Sequence, residues 1–235
     1  MPKHGKNYNS AREKIDREKE YPLAEAIQLI KENSFAKFDE TMDIAVKLGV
    51  DPRHADQMVR GTVVLPSGTG KSVRIAVFAE GDDAEAAKKA GADIVGSDDL
   101  VEKIRGGEMD FDVAIAHPSM MSKVGSLGKV LGPRGLMPNP KAGTVTPNVA
   151  QAVSEAKAGK IEYRVDKGGV IHSMVGKVSF EADALDQNCK ALISALHRAR
   201  PTSVKGAYFR SCVISSTMGP GVKIDLSGLI QQITK

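Results

Sequence analysis

VRIAVFAEGDDAEAAKKAGADIVGSDDLVEKIRGGEMDFDVAIAHP, residues 73–118, alternates short apolar runs with short charged stretches that end at glycine. VRIAVFAEG (73–81), IVG (94–96) and DFDVAIAHP (110–118) predict strands, while DAEAAKKAGAD (83–93) and DDLVEKIRGGE (98–108) predict helices. Strands and helices in strict alternation are the rhythm of a parallel sheet with crossover helices. The rhythm ends at TPNVAQAVSEAKAGK (146–160). There Thr146 is predicted to cap a helix that has Pro147 at its first position and stops at Gly159.

On either side of this block the period changes to two. TMDIAVKLGVD (41–51) sets Met42, Ile44, Val46 and Leu48 against Asp43, Ala45 and Lys47, which predicts a strand with one wet face. GTVVLP (61–66) predicts a second. IEYRVDKGGVIHSMVGKVSF (161–180) predicts a hairpin turning at Lys167, Gly168 and Gly169. AYFRSCVISSTM (207–218) predicts a last strand, in which Tyr208, Arg210, Cys212 and Ile214 alternate with Phe209, Ser211, Val213 and Ser215. Two helices complete the pattern: YPLAEAIQLIKEN (21–33), with Leu23, Ala26, Ile27 and Ile30 on one face, and a second with Leu185, Cys189, Leu192, Ile193 and Leu196 aligned, closed by Pro201. The predicted fold class is therefore an α+β split domain, residues 1–67 and 160–235, with an inserted α/β, Rossmann-like parallel-sheet domain at 68–159. The two would be joined by a two-strand hinge near Gly68, Gly70 and Gly159.

Charge follows the same division. The chain has 33 Lys plus Arg and 29 Asp plus Glu, net +4. Residues 68–159 carry 11 basic against 12 acidic groups, a net of −1, which leaves 22 against 17, a net of +5, on the split domain. From Gln187 to Ile224, 38 residues contain no acid but hold Lys190, Arg198, Arg200, Lys205, Arg210 and Lys223. From Val113 to Ser154, 42 residues contain no acid but hold Lys123, Lys129, Arg134 and Lys141. Stretches that exclude acids suit a phosphate-rich partner.

No apolar run approaches the roughly 18 residues that span a bilayer, and the polar, basic start has no apolar core for a signal peptide. Cys189 and Cys212 have no paired spacing and read as reduced, buried and cytosolic. His4, His54, His117, His172 and His197 are scattered without metal-ligand spacing, and no nucleophile elbow is present, so neither a metal nor an enzyme activity is expected. PSGTGKS (66–72) imitates a phosphate-binding loop. It has Leu65 where that loop needs glycine, and a predicted strand follows where the loop needs a helix. A nucleotide-binding enzyme using this GTGKS loop is the alternative reading; a turn between domains is the preferred one.

Three segments stand out as binding candidates. LGPRGLMPNPKAGT (131–144) has three prolines, three glycines and only Arg134 and Lys141 charged, and reads as a proline-braced loop covering the parallel sheet or as a contact with RNA phosphate or another macromolecule. In SSTMGPGVKID (215–225), hydroxyl residues lead into Met218, Gly219, Pro220 and Gly221, where small residues allow close approach of the backbone. In AKFDET (36–41), Lys37 and Phe38 put a cation and an aromatic plate at the start of a strand.

KFDET (37–41), MSKVGSLGKVLGPRGLMPNPKAGT (121–144) and STMGP (216–220), together with the MPKHGK start, resemble the ribosomal protein L-one family across essentially the whole chain. The resemblance implies a split α+β domain with an inserted α/β domain, and a protein of the mobile stalk beside the tRNA exit site of the large ribosomal subunit. It further implies binding to large-subunit ribosomal RNA, help in releasing deacylated tRNA from the exit site, and repression of translation from its own operon mRNA. The setting it implies is the cytoplasmic ribosome, with no cofactor, membrane or small-molecule substrate expected. Carried onto this sequence, the family's RNA surface falls on Lys37, Phe38, Thr41, Asp166, Lys167, His172, Ser211, Thr217, Met218, Gly219 and Pro220. Gly221 stands where members often carry Ser, a change expected to loosen the turn. With six Phe, four Tyr and no Trp, the chain points to recognition of folded RNA shape, phosphate and 2′-OH rather than stacking on many single-stranded bases.

Overall fold

A computed structural model describes residues 5–234; the MPKH start, with His4, and Lys235 lie outside the described residues. In chain order the elements are α1 (Lys6–Glu13), α2 (Leu23–Glu32), β1 (Thr41–Leu48), β2 (Arg60–Val64), β3 (Ile75–Phe78), α3 (Asp82–Lys89), β4 (Ile94–Gly96), α4 (Asp98–Arg105) and β5 (Val113–Ala116). There follow α5 (Met121–Gly125), α6 (Gly128–Leu131), α7 (Val149–Lys157), β6 (Lys160–Arg164), β7 (Val170–Lys177), α8 (Ala182–Arg198), β8 (Phe209–Ser216), β9 (Val222–Ile224) and α9 (Leu226–Thr234). Residues up to Gly70 and from Ile161 onward make one compact unit; Lys71–Lys160 make the other.

In the first unit, β7, β1, β8 and β9 form an antiparallel sheet in that order. Alternation along β1 sends Met42, Ile44, Val46 and Leu48 inward, where they join Ile171, Val175, Cys212, Ile214, Val222 and Ile224. The apolar stripes of α2 (Ala26, Ile27, Ile30) and α8 (Leu185, Cys189, Leu192, Ile193, Leu196) cover that face. Burial pushes both cysteine thiols up, that of Cys212 to about 12, so neither is a ready nucleophile.

The predicted hairpin of residues 161–180 is half right. The turn forms: Asp166 N–H donates to Val170 O at 2.9 Å, and Val165 bridges Ile171. Its arms then part, β6 pairing with β2 and β7 with β1. Period-two alternation fixes which face a residue takes but not which strand lies beside it. The last strand also departs from strict alternation, because a register shift beside Lys47 and Leu48 leaves Arg210 exposed next to exposed Ser211. Short α1 and α9 were not anticipated from the periodicity.

The second unit has a three-stranded parallel sheet in the order β4-β3-β5. Both faces are buried, so β3 is continuously apolar: Ala76 and Phe78 meet Leu100, Ile104 and Met120 on one side, Ile75 and Val77 meet Ala87 and Val153 on the other. The helix near residue 146 starts later than expected. Asn148 is its cap, accepting Gln151 N–H at 3.3 Å, while Thr146 accepts Asn148 N–H and Pro147 lies in the turn ahead. Gly159, at φ +96°, stops the helix as predicted.

The GTGKS segment runs into β3 without an intervening helix. It is pinned from below by Asn188 of α8, which is fully buried: its Oδ1 accepts Ser67 N–H at 3.1 Å, and its Nδ2 donates to Gly68 O and Val175 O. Gly70 has φ +72°, and a Cβ there would lie 2.8 Å from the Lys177 side chain and 2.9 Å from the Phe180 ring. Gly70 answers a packing demand, and the loop leads into a strand rather than presenting its amides at a helix end.

Candidate nucleic-acid interface

Residues directly opposite in an antiparallel sheet share a face. The register therefore lays out the outer face of the four-stranded sheet in rows: Val170, Lys47 and Ser211; then His172, Ala45, Val213 and Lys223; then Met174, Asp43 and Ser215; then Lys177 and Thr41. Most of the sequence-predicted residues gather at the two ends of this face, with His172 between them. Six steps along β1, from Thr41 to Lys47, span roughly 20 Å at a strand's rise per residue.

At the Thr41 end, two segments far apart in sequence are stitched together. Thr217 Oγ1 accepts Thr41 N–H at 3.0 Å and donates to Thr41 O at 3.2 Å. Lys177 Nζ donates to Asp39 O and Thr41 Oγ1. Beneath them lies Glu40, 2% exposed, whose carboxylate accepts Ala36 N–H on one oxygen and Met218 N–H on the other, each at 3.0 Å. Burial works to raise the Glu40 carboxyl, yet the Ser216 hydroxyl and the N–H groups of Met218, Ala36 and Phe35 together hold it below the usual value. Gly219 N–H closes the turn on Ser216 Oγ at 3.2 Å, and a Cβ on Gly219 would come within 2.5 Å of that oxygen. Anchored in this way, Lys37, Phe38, Thr217 and Met218 are all exposed, Phe38 at 56% and Met218 at 50%.

Pro220 is buried and shapes the turn from inside. A Cβ on Gly221 would meet Val213 Cγ1 at 2.8 Å, so the neighbouring strand packs closely against this glycine.

At the other end, Asp166 spends its carboxylate on its own turn. Oδ1 accepts the N–H of Gly168 and of Val170, each at 2.8 Å, and the Val170 bond leads the causes that hold the group below the usual Asp value. Lys47 Nζ donates to Gly168 O at 2.7 Å, fixing the tip that presents exposed Lys167. His172 lies 3.8 Å from Asp166 and faces solvent beside Ala45, between the two ends.

Two cations from the acid-free windows are answered by acids outside them. Lys123 pairs with Glu80 at 3.0 Å and Asp98 at 2.9 Å, and Lys190 pairs with Asp186 at 2.6 Å. Arg200 donates to the carbonyls of Val204 and Gly206 and lies over the Tyr208 ring. The 131–144 loop is braced as well as basic: Leu131, Pro138 and Ala142 are buried, Thr144 Oγ1 accepts Asn139 N–H, and Arg134 and Lys141 remain exposed. Sequence reasoning missed Glu40 and Lys177, since a Glu in a loop reads as solvated and Lys177 only gains its partners through the β1–β7 register.

Among the described residues no group of three or more His, Cys, Asp or Glu is placed to hold a metal, and no helix is long and apolar enough to cross a membrane. What the fold and this surface define is a two-unit protein whose first unit carries an extended polar and basic sheet face. The chain belongs to the ribosomal protein L1p/L10e family, whose model it matches over residues 30–220. It is 58% identical to the large ribosomal subunit protein uL1 of Alkalilimnicola ehrlichii over 97% of this chain and 99% of that protein, and 58% identical, with the same coverage, to that of Bordetella pertussis. The large ribosomal subunit protein uL1 of Lactobacillus acidophilus is 59% identical over 96% of this chain and 98% of its own length.

Proposed function

We propose that this protein is a structural constituent of the large ribosomal subunit that binds its ribosomal RNA, at the mobile stalk, through the outer sheet face of the first unit. The observation that carries this is the Glu40-centred knit, which spends buried hydrogen bonds on holding Lys37, Phe38, Thr217 and Met218 in fixed exposed positions. Polar groups spread over roughly 20 Å suit a duplex or folded RNA read by shape, phosphate and 2′-OH. The names of the relatives support the subunit assignment. We extend the same reading to exit-site tRNA release, to repression of the protein's own operon mRNA through this surface, to a cytoplasmic ribosomal location, and to a hinge at the two chain crossings.

The test is binding of the purified protein to its own large-subunit stalk RNA fragment against a scrambled RNA of equal length. Selective binding is expected, and equal affinity for both would overturn the reading. If about five phosphates are neutralised, log K falls with log salt at a slope of roughly −3.5 to −4.5. Thr217→Ala removes the bonds to Thr41 and is expected to weaken RNA binding about five- to tenfold. Met218→Asp sets a carboxylate against phosphate and is expected to cost about tenfold or more. Because both side chains are exposed, each variant should keep its circular dichroism and melt within about 1 kcal/mol of the parent. A collapsed melt would identify these residues as core.

A further inference from the structure

The first turn of α1 comes to rest beside the Thr41 end of the sheet. Gly5, Lys6, Asn7, Tyr8, Phe35 and Met218 line an open pocket of about 440 Å³, within the roughly 300–1,000 Å³ of small-ligand sites. Its walls are secured on both sides. Behind α1, Ala11 and Ile15 are buried, and the next turn is closed by Asp16 N–H donating to Tyr21 Oη at 3.0 Å. On the opposite wall, Met218 is fixed by its N–H bond to Glu40, and Phe35 is half-buried.

The chemistry of this lining is specific. Two aromatic residues and a thioether offer flat, polarisable surface, and Lys6 adds a cation at the same rim. Flat apolar walls with an adjacent cation match a nucleobase stacked between rings with its phosphate paired outside. A bare anion would gain nothing from the rings. Residues 8, 35 and 218 are too far apart in sequence for composition to reveal the pocket, and the scarcity of aromatics pointed away from stacking.

We propose that this pocket takes one unpaired nucleobase of the bound RNA, stacked against Tyr8, Phe35 and Met218, with Lys6 on its phosphate. The proposal rests on the RNA-binding reading above and adds a base-stacking anchor to a surface otherwise suited to backbone contacts.

The experiment is an abasic scan of the stalk RNA fragment, each unpaired nucleotide replaced in turn, against the full-length protein and its Tyr8→Leu variant. Stacking of one base predicts a loss of about five- to a hundredfold for the wild-type protein at one position. At that position Tyr8→Leu should lose no more than about twofold further, because the two changes remove the same contact. Wild-type affinity that ignores every abasic site would overturn the proposal, and so would losses from Tyr8→Leu and the abasic site that simply multiply. Failure of the unmodified fragment to outcompete scrambled RNA would instead overturn RNA recognition itself.

Discussion

Glu40→Ala is expected to destabilise the protein by about 2–3 kcal/mol and to weaken RNA binding more than any single exposed contact does. The carboxylate is 2% exposed and serves Ala36 N–H, Met218 N–H and the Ser216 hydroxyl. Removing it leaves buried donors without acceptors, each costing about 1–3 kcal/mol before relaxation. The loop carrying Lys37 and Phe38 then loses its tie to the turn carrying Thr217 and Met218. Glu40→Gln tests the charge: one amide oxygen replaces two acceptor oxygens, and the NH₂ group faces donors. The pH dependence has a definite sign. A carboxyl held below its usual 4.5 contributes stability that is present above that value and is lost as pH falls through the lower folded value. Thermal melts of parent and Glu40→Gln should therefore differ at pH 7 and converge below about pH 4.5. A constant gap down to pH 3 would show that the ionised carboxylate contributes nothing.

Asn188→Ala is expected to cost about 3 kcal/mol or more by chemical denaturation. Asn188 is fully buried in α8 and holds Ser67 N–H, Gly68 O and Val175 O. Its loss strands three backbone groups and opens a small void. Limited proteolysis should then cut near residues 66–70, where the parent resists. Parental stability together with parental resistance would mean that water replaces the amide at no cost.

Much of the fold was legible because burial leaves a period in the sequence. The stripe from Leu185 to Leu196, the alternation from Met42 to Leu48 and the glycine-stopped helices of residues 83–108 each report one face or one end of an element. Partnership leaves no such trace. Nothing in IEYRV and VIHSM says that they belong to different sheets, and nothing in an acid-free window says that Lys123 will reach Glu80 and Asp98. The site was legible as exposed polar segments but not as a constructed object. Asp166 and Pro220 turned out to build turns, and Glu40, the group that makes the surface rigid, was hidden by its own residue type.

The central position of β1 has a consequence for synthesis. Lys47 stands opposite Val170 on one side and Ser211 on the other. At a translation rate of about 5–20 residues per second, β1 waits roughly ten to thirty seconds for its second neighbour. Until β7 is made it is an unpaired strand with two open edges, and until β8 is made it keeps one, exposed to wrong pairings. The knit between Thr41 and Thr217 closes later still. The two ends of this face therefore come together only after nearly the whole chain has been made.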